Sequence, residues 1–186
     1  MTPILSVGLD IGYRRDSSAV AAVYRDVDGH ICLRCHRIWE PPVHIPDVTD
    51  YILKLFTFEQ VSGLWFDPHQ FASEAQRLED DGHGRYLHEV NQSGPFMSQI
   101  ATNLHILIQR GLLDIYPDQL TYQHFAQCGI KMTEQGPRII KSAQTKAIDF
   151  VVAYAMAVYG ISQEPEHLGQ VAFREEEHVV SLDMLI

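Results

Sequence analysis

Apolar positions along this chain change period several times, and each change marks an element. Residues 4–10 are short, apolar and rich in β-formers, as a buried strand requires, and Gly12 ends the run. Residues 20–24 predict a second strand. Asp26-Val27-Asp28-Gly29 is a turn signature, and residues 31–39 predict a third strand before Glu40-Pro41-Pro42 breaks the pattern. Three strands joined by short turns make an antiparallel meander.

Beyond the prolines the period lengthens. Val48, Ile52, Leu55 and Phe56 have helical spacing over 47–58, and 63–66 is a short apolar strand closed by Asp67-Pro68. A helix over 71–80 ends near Gly82, and 87–90 predicts a fifth strand. In 96–110, Met97, Ile100, Ala101, Leu104, Leu107 and Ile108 share one helical face, with Gly111 placed to end it. A further helix is expected over 118–127. Residues 130–132 and 138–140 bracket Glu134-Gln135-Gly136 as a hairpin. The helix over 145–158 is apolar almost all round, so it should be buried.

This order predicts an α/β fold: a mixed five-stranded sheet, three antiparallel strands and then parallel ones, flanked by helices. The right-handed crossover rule sets the fourth strand parallel to the first at the sheet centre. One domain is expected over 1–161, followed by an acidic tail over 162–186.

Composition narrows the setting. A length of 186 residues with 46% hydrophobic content suits a single globular domain. No apolar run approaches the roughly 18 residues of a membrane span, and the N-terminus lacks the features of a signal peptide. Cys32, Cys35 and Cys128 do not form a disulfide framework, so a reducing cytoplasm is expected. The net charge of −10 opposes a simple nucleic-acid binder, because phosphate contacts need Lys and Arg. Part of the deficit is local: Glu164, Glu166, Glu175, Glu176, Glu177 and Asp183 face only Arg174 in the tail.

Three carboxylates interrupt apolar runs. Asp10 follows Val7-Gly8-Leu9, Asp67 follows Leu64-Trp65-Phe66, and Asp149 lies within Ala147-Ile148-Asp149-Phe150-Val151. A buried carboxylate needs a cation, a donor or a proton. With the first and fourth strands adjacent and parallel, Asp10 and Asp67 fall side by side at their C-terminal ends, within reach of Asp149 early in the last helix. Each Asp taken alone reads as a turn former or helix cap. Together they make an all-oxygen site for hard Mg²⁺ or Mn²⁺, and two such ions about 4 Å apart would serve phosphodiester hydrolysis. Asp16, in the loop before the second strand, is a candidate outer ligand or a plain loop residue.

These residues resemble the nuclease domain of phage terminase large subunits. The likeness rests on Val7-Gly8-Leu9-Asp10-Ile11-Gly12 with Asp16-Ser17-Ser18-Ala19, on Leu64-Trp65-Phe66-Asp67-Pro68-His69-Gln70, and on Val90-Asn91-Gln92 with Met97-Ser98 and Leu112-Leu113. It extends to Lys146-Ala147-Ile148-Asp149 followed by Ala153-Tyr154-Ala155-Met156-Ala157. The resemblance implies an RNase H-like fold and Mg²⁺- or Mn²⁺-dependent endonuclease cutting of double-stranded DNA during genome packaging. It carries the acidic roles onto Asp10, Asp67 and Asp149, with Asp16 as an accessory. It also implies as partners an ATPase domain, a small terminase subunit and a portal, in the cytoplasm of an infected bacterial host. The chain carries no G-x-x-x-x-G-K-[ST] phosphate loop, so it reads as an excised domain or a free-standing relative, and ATP hydrolysis is not assigned to it.

Arg14, Arg15, Arg85, Lys141 and Lys146 are the expected DNA contacts, within a wider basic set that includes Arg77, Lys131 and Arg138. Cys32-Leu33-Arg34-Cys35-His36 with His30 imitates a zinc knuckle, but a strand sends alternate side chains to opposite faces, which disfavours it. Two competing functions remain. Gly8-Leu9-Asp10-Ile11-Gly12 also resembles the first phosphate loop of actin-like and sugar-kinase ATPases, although no second phosphate motif accompanies it. A catalytically inactive DNA- or motor-binding module is the other, and the presence of all three Asp residues argues against it.

Overall fold

The computed structural model of the chain describes residues 2–12, 16–92, 94–116, 118–134, 136–143 and 147–165. Arg14, Arg15, Lys146 and the tail from 166 onward lie outside the described residues. The elements run β1 (Ile4–Asp10), β2 (Ser18–Arg25), β3 (Ile31–Trp39), α1 (Ile45–Phe58), β4 (Gln60–Phe66), α2 (Pro68–Leu78) and β5 (Leu87–Glu89). They continue with α3 (Pro95–Gln109), β6 (Leu113–Asp114), α4 (Gln119–Gln127), β7 (Cys128–Thr133), β8 (Gly136–Lys141) and α5 (Asp149–Gln163).

The main sheet has the order β5-β4-β1-β2-β3-β6. The meander β1–β2–β3 is antiparallel, and β4 lies parallel to β1, with β5 parallel to β4. This is the expected mixed sheet with one addition. A sixth strand of two residues, β6, pairs with β3 through Ile31–Leu113 and Cys32–Asp114, and is too short to carry a periodic signal. β7 and β8 form the expected hairpin apart from the sheet.

Each face of the sheet has its own core. Leu5, Val7 and Leu9 of β1 pack with Val48, Ile52 and Leu55 of α1 and with Phe71, Ala75 and Leu78 of α2. Ala19, Ala21 and Val23 of β2 pack on the other face with Ile100 and Leu104 of α3 and with α5. Side chains alternate faces along a strand, so Ser6, Gly8 and Asp10 of β1 all face α5. α3 closes on Gly111, whose positive φ of 66° lets its N–H reach Ile108 and that of Leu112 reach Leu107.

α5 lies unusually close to β1. A Cβ on Gly8 would stand 1.9 Å from the Ala153 carbonyl oxygen and 2.7 Å from the Ala157 nitrogen. A Cβ on Gly160 would stand 2.2 Å from the Ser6 Oγ. Ser6 thus meets Gly160 and Gly8 meets Ala157 and Ala153, so α5 runs antiparallel to β1. That polarity brings the start of α5 over the end of β1. The helix begins at Asp149, later than the periodicity from 145 implies, and reaches Gln163, two residues past the expected domain end. Among the described residues, no helix is long and apolar enough to cross a membrane.

Candidate metal centre

Three elements deliver the three aspartates to one end of the sheet. Asp10 is the last residue of β1. Asp67 follows β4 directly, and because Leu9 pairs with Phe66, it sits beside Asp10. A bulge in this pairing makes the match possible. Leu5 pairs with Val61 but Ser6 with Gly63, so Ser62 is skipped. Val61, Leu64 and Phe66 then all face the α1–α2 core, and Asp67, one residue beyond Phe66, is near enough to act on the Asp10 charge. Asp149 is the first residue of α5 and is 94% buried, being only 6% exposed. The partial positive charge of the helix start favours its carboxylate.

Each carboxylate gives one oxygen to a protein donor. The Gln92 amide donates to Asp10 Oδ1 at 2.8 Å. The His69 backbone N–H donates to Asp67 Oδ1 at 2.9 Å, so Asp67 also caps α2. The buried Ser17 hydroxyl donates to Asp149 Oδ2. Burial pushes the Asp10 carboxyl up from its ordinary 3.8 to about 7; Asp149 and Asp67 push the same way, and the Gln92 amide and Lys141 oppose them. Asp149 and Asp67 are therefore both close enough to act on Asp10.

Their chemistry fits a hard divalent cation: oxygen donors alone, with charges that repel until a cation joins them. The side chains are not closed around such an ion. Among the described residues, no three His, Cys, Asp or Glu groups are gathered to metal-holding geometry.

The remaining candidates divide. Asp16 is exposed and pairs with Lys141 at 3.1 Å. Close to it in sequence, Ser18 Oγ accepts from the Gly12 N–H at 3.0 Å and donates to the Gly12 carbonyl at 3.1 Å. Lys141, at the end of β8, acts on Asp10 as well and so belongs to this end of the molecule. Arg85 does not. It lies over the Tyr86 ring at 4.5 Å and lines a cleft with Gln60 and Val61, at the start of β4 and away from the aspartates. The zinc knuckle does not form: Cys35 joins the α1 core, whereas His36 meets the Phe150 ring of α5 at 5.2 Å. All three cysteines are free thiols.

The residue-level reading assigned no part to Gln92, Ser17 and His124. Gln92 could have been found, since it follows β5 as Asp67 follows β4, and the ends of parallel strands share one rim of the sheet. His124 is buried on α4, and its Nδ1 accepts the Phe150 N–H of α5 at 3.3 Å. Burial holds it below the ordinary histidine range, against the pull of Asp149. Nothing in its local sequence marks this contact, 26 residues away along the chain.

No protein-family model matches the chain, and no curated protein matches its sequence. Solved structures do match. The large terminase of bacteriophage HK97 superposes with a TM-score of 0.73 at 18% identity, over 86% of this chain and 40% of that one. The large terminase nuclease of thermophilic phage G20c gives 0.66 at 18% identity, over 88% of this chain and 83% of that one. This chain has the fold of the phage large-terminase nuclease domain. The nuclease domain of the SPP1 large terminase, solved with bound Mn, agrees at 0.59 and 15% identity, over 84% of this chain and 85% of that one. The chain spans less than half the length of the HK97 large terminase and most of the isolated terminase nuclease domains. The mixed sheet shared with these nuclease domains is therefore the frame on which Asp10, Asp67 and Asp149 stand.

Proposed function

We propose that this chain is a divalent-metal-dependent endonuclease that cuts double-stranded DNA during phage genome packaging. Asp10, Asp67 and Asp149 are its metal ligands, and Mg²⁺ or Mn²⁺ its ions, two per site. The observation that carries the reading is placement: Asp10 ends β1, Asp67 directly follows the adjacent parallel β4, and Asp149 begins α5; burial and the two neighbouring aspartates push the Asp10 carboxyl up. A fold that only needed stability would gain by replacing Asp10, whose charge is unfavourable where it stands. When bound, divalent ions supply Lewis acidity for phosphodiester hydrolysis at neutral pH. Gln92 and Ser17 hold the Asp10 and Asp149 carboxylates in orientation, each through one oxygen. Support also comes from the terminase nucleases of similar fold, of which SPP1's was solved with manganese and G20c's with magnesium.

Lys141 supplies positive charge beside the acidic centre for the DNA backbone, with Arg14, Arg15 and Lys146 as further contacts and Asp16 as an accessory acidic group. In a complete motor the domain would work with an ATPase domain, a small terminase subunit and a portal, in the host cytoplasm. The acidic tail expected over 162–186 would begin only after α5 ends at Gln163 and would lie outside the nuclease domain.

The test is supercoiled plasmid incubated with the protein and Mn²⁺ or Mg²⁺. Nicking or linearisation is expected, abolished by chelator and by Asp67→Asn. Plasmid that stays intact with every divalent ion removes the activity from this chain.

A further inference from the structure

The helix that carries Asp149 has no cap of its own. Ile148 stands at the N-cap position and offers no side-chain acceptor, yet the first turn is buried and its N–H groups need partners. The acceptors come from another helix. His124 Nδ1 takes the first-turn Phe150 N–H at 3.3 Å, and Gln127 Oε1 takes the N–H of Ala147, which directly precedes the N-cap, at 3.0 Å. His124 and Gln127 are three residues apart and share one face of α4. Asp149 lies between the two backbone groups they hold.

α4 is itself anchored. Asp118 caps it through the Leu120 and Thr121 N–H groups, both at 2.9 Å, and also meets His36 Nε2 of β3 at 3.3 Å. His36 Nδ1 in turn lies 2.8 Å from the Tyr116 hydroxyl. The Phe150 ring is packed edge-on against His36 at 5.2 Å and Phe125 at 5.9 Å, and is stacked on Tyr154 at 5.8 Å. From β3 through α4 to α5, polar contacts and rings run to the residue directly after Asp149.

We infer that α4 is a positioning element for the Asp149 carboxylate, acting through His124 and Gln127 on the backbone at either side of it. The inference rests on the metal reading above. Ligand carboxylates must be held within about 0.5 Å of productive geometry, and outer partners govern that placement. A helix start free to fray would move Asp149 with it. Ser17 fixes the side chain of Asp149; α4 fixes the main chain from which it projects.

Mn²⁺ uptake by the full chain, read by electron paramagnetic resonance of the free ion, tests this without DNA or turnover. His124→Ala and Gln127→Ala are expected to weaken Mn²⁺ binding about tenfold. His124→Asn keeps an acceptor near the Nδ1 position and should restore it. A truncation at Ile52, in the core on the opposite face of the sheet, serves as a control matched for thermal stability and should leave Mn²⁺ affinity unchanged. Equal Mn²⁺ affinity in wild type, His124→Ala and Gln127→Ala would overturn the role of α4 alone. So would a loss no greater than that of the Ile52 control, or no recovery in His124→Asn. A wild-type chain that takes up no Mn²⁺ would instead remove the metal site, and this role with it.

Discussion

Asp10→Asn should make the metal-free protein more stable, and the gain should depend on pH. In the unfolded chain Asp10 ionises around its ordinary 3.8, whereas in the folded chain burial, Asp149 and Asp67 hold the proton to about 7. Between those values the unfolded state binds fewer protons, so the wild-type fold loses stability as pH rises, and the loss is complete above about 7. At about 1.4 kcal/mol for each pH unit, the full penalty is about 4 kcal/mol at most, since a partly buried carboxylate keeps some contact with water. That is a large fraction of the roughly 5–15 kcal/mol that holds a domain folded. Asparagine removes the charge and still accepts from Gln92. Urea unfolding in chelator across pH 4 to 8 is the assay. The variant should match wild type near pH 4 and exceed it by several kcal/mol at pH 8. Saturating Mn²⁺ should then reverse the order at pH 8, because only the ionised wild-type site gains by binding. A difference that does not change with pH, or a variant less stable than wild type at pH 8 in chelator, would refute the electrostatic account of this site.

Packing and charge elsewhere in the molecule set further expected outcomes. Gly8→Ala places a methyl group 1.9 Å from the Ala153 carbonyl oxygen, so it should cost about 3 kcal/mol in denaturant unfolding as α5 is pushed off β1. It should also weaken Mn²⁺ uptake, because the start of α5 moves with the helix. Lys141→Ala should weaken duplex DNA binding and reduce its dependence on salt by about one phosphate contact, whereas Arg85→Ala, at the far end of β4, should change neither.

Much of the fold was legible in the chain because local pattern and tertiary role agree. The meander is short-range: each strand pairs with its sequence neighbour across a turn, and the near-continuous apolar runs of β1 and β2 report two buried faces. The parallel pairing of β4 with β1 follows from crossover handedness, which needs only the order of elements. Asp10, Asp67 and Asp149 stood out because each breaks an apolar run, and the same pairing sets two of them side by side. The two-residue β6 escaped notice because its pairing with β3 owes nothing to periodicity. Arg85 was grouped with the site by its charge alone, and charge does not say at which end of a strand a residue lies.

What the sequence determined by itself was the identity of the elements, their order and the carboxylates out of place among apolar neighbours, since these are properties of contiguous residues. What the tertiary structure decided was alignment. The bulge at Ser62 sets Phe66 beside Leu9 and so Asp67 beside Asp10, and without it the strict alternation of β4 could not send both Val61 and Phe66 to one core. The contacts of α5 with Gly8 and Gly160 set its polarity and its distance from β1, so that Asp149 arrives at the end of the strand. The acceptors that hold the start of α5 come from α4, 26 residues earlier for His124 to Phe150 and 20 for Gln127 to Ala147. Such contacts join residues that share no local pattern; packing selects them, because a buried helix end must find partners wherever the fold provides them.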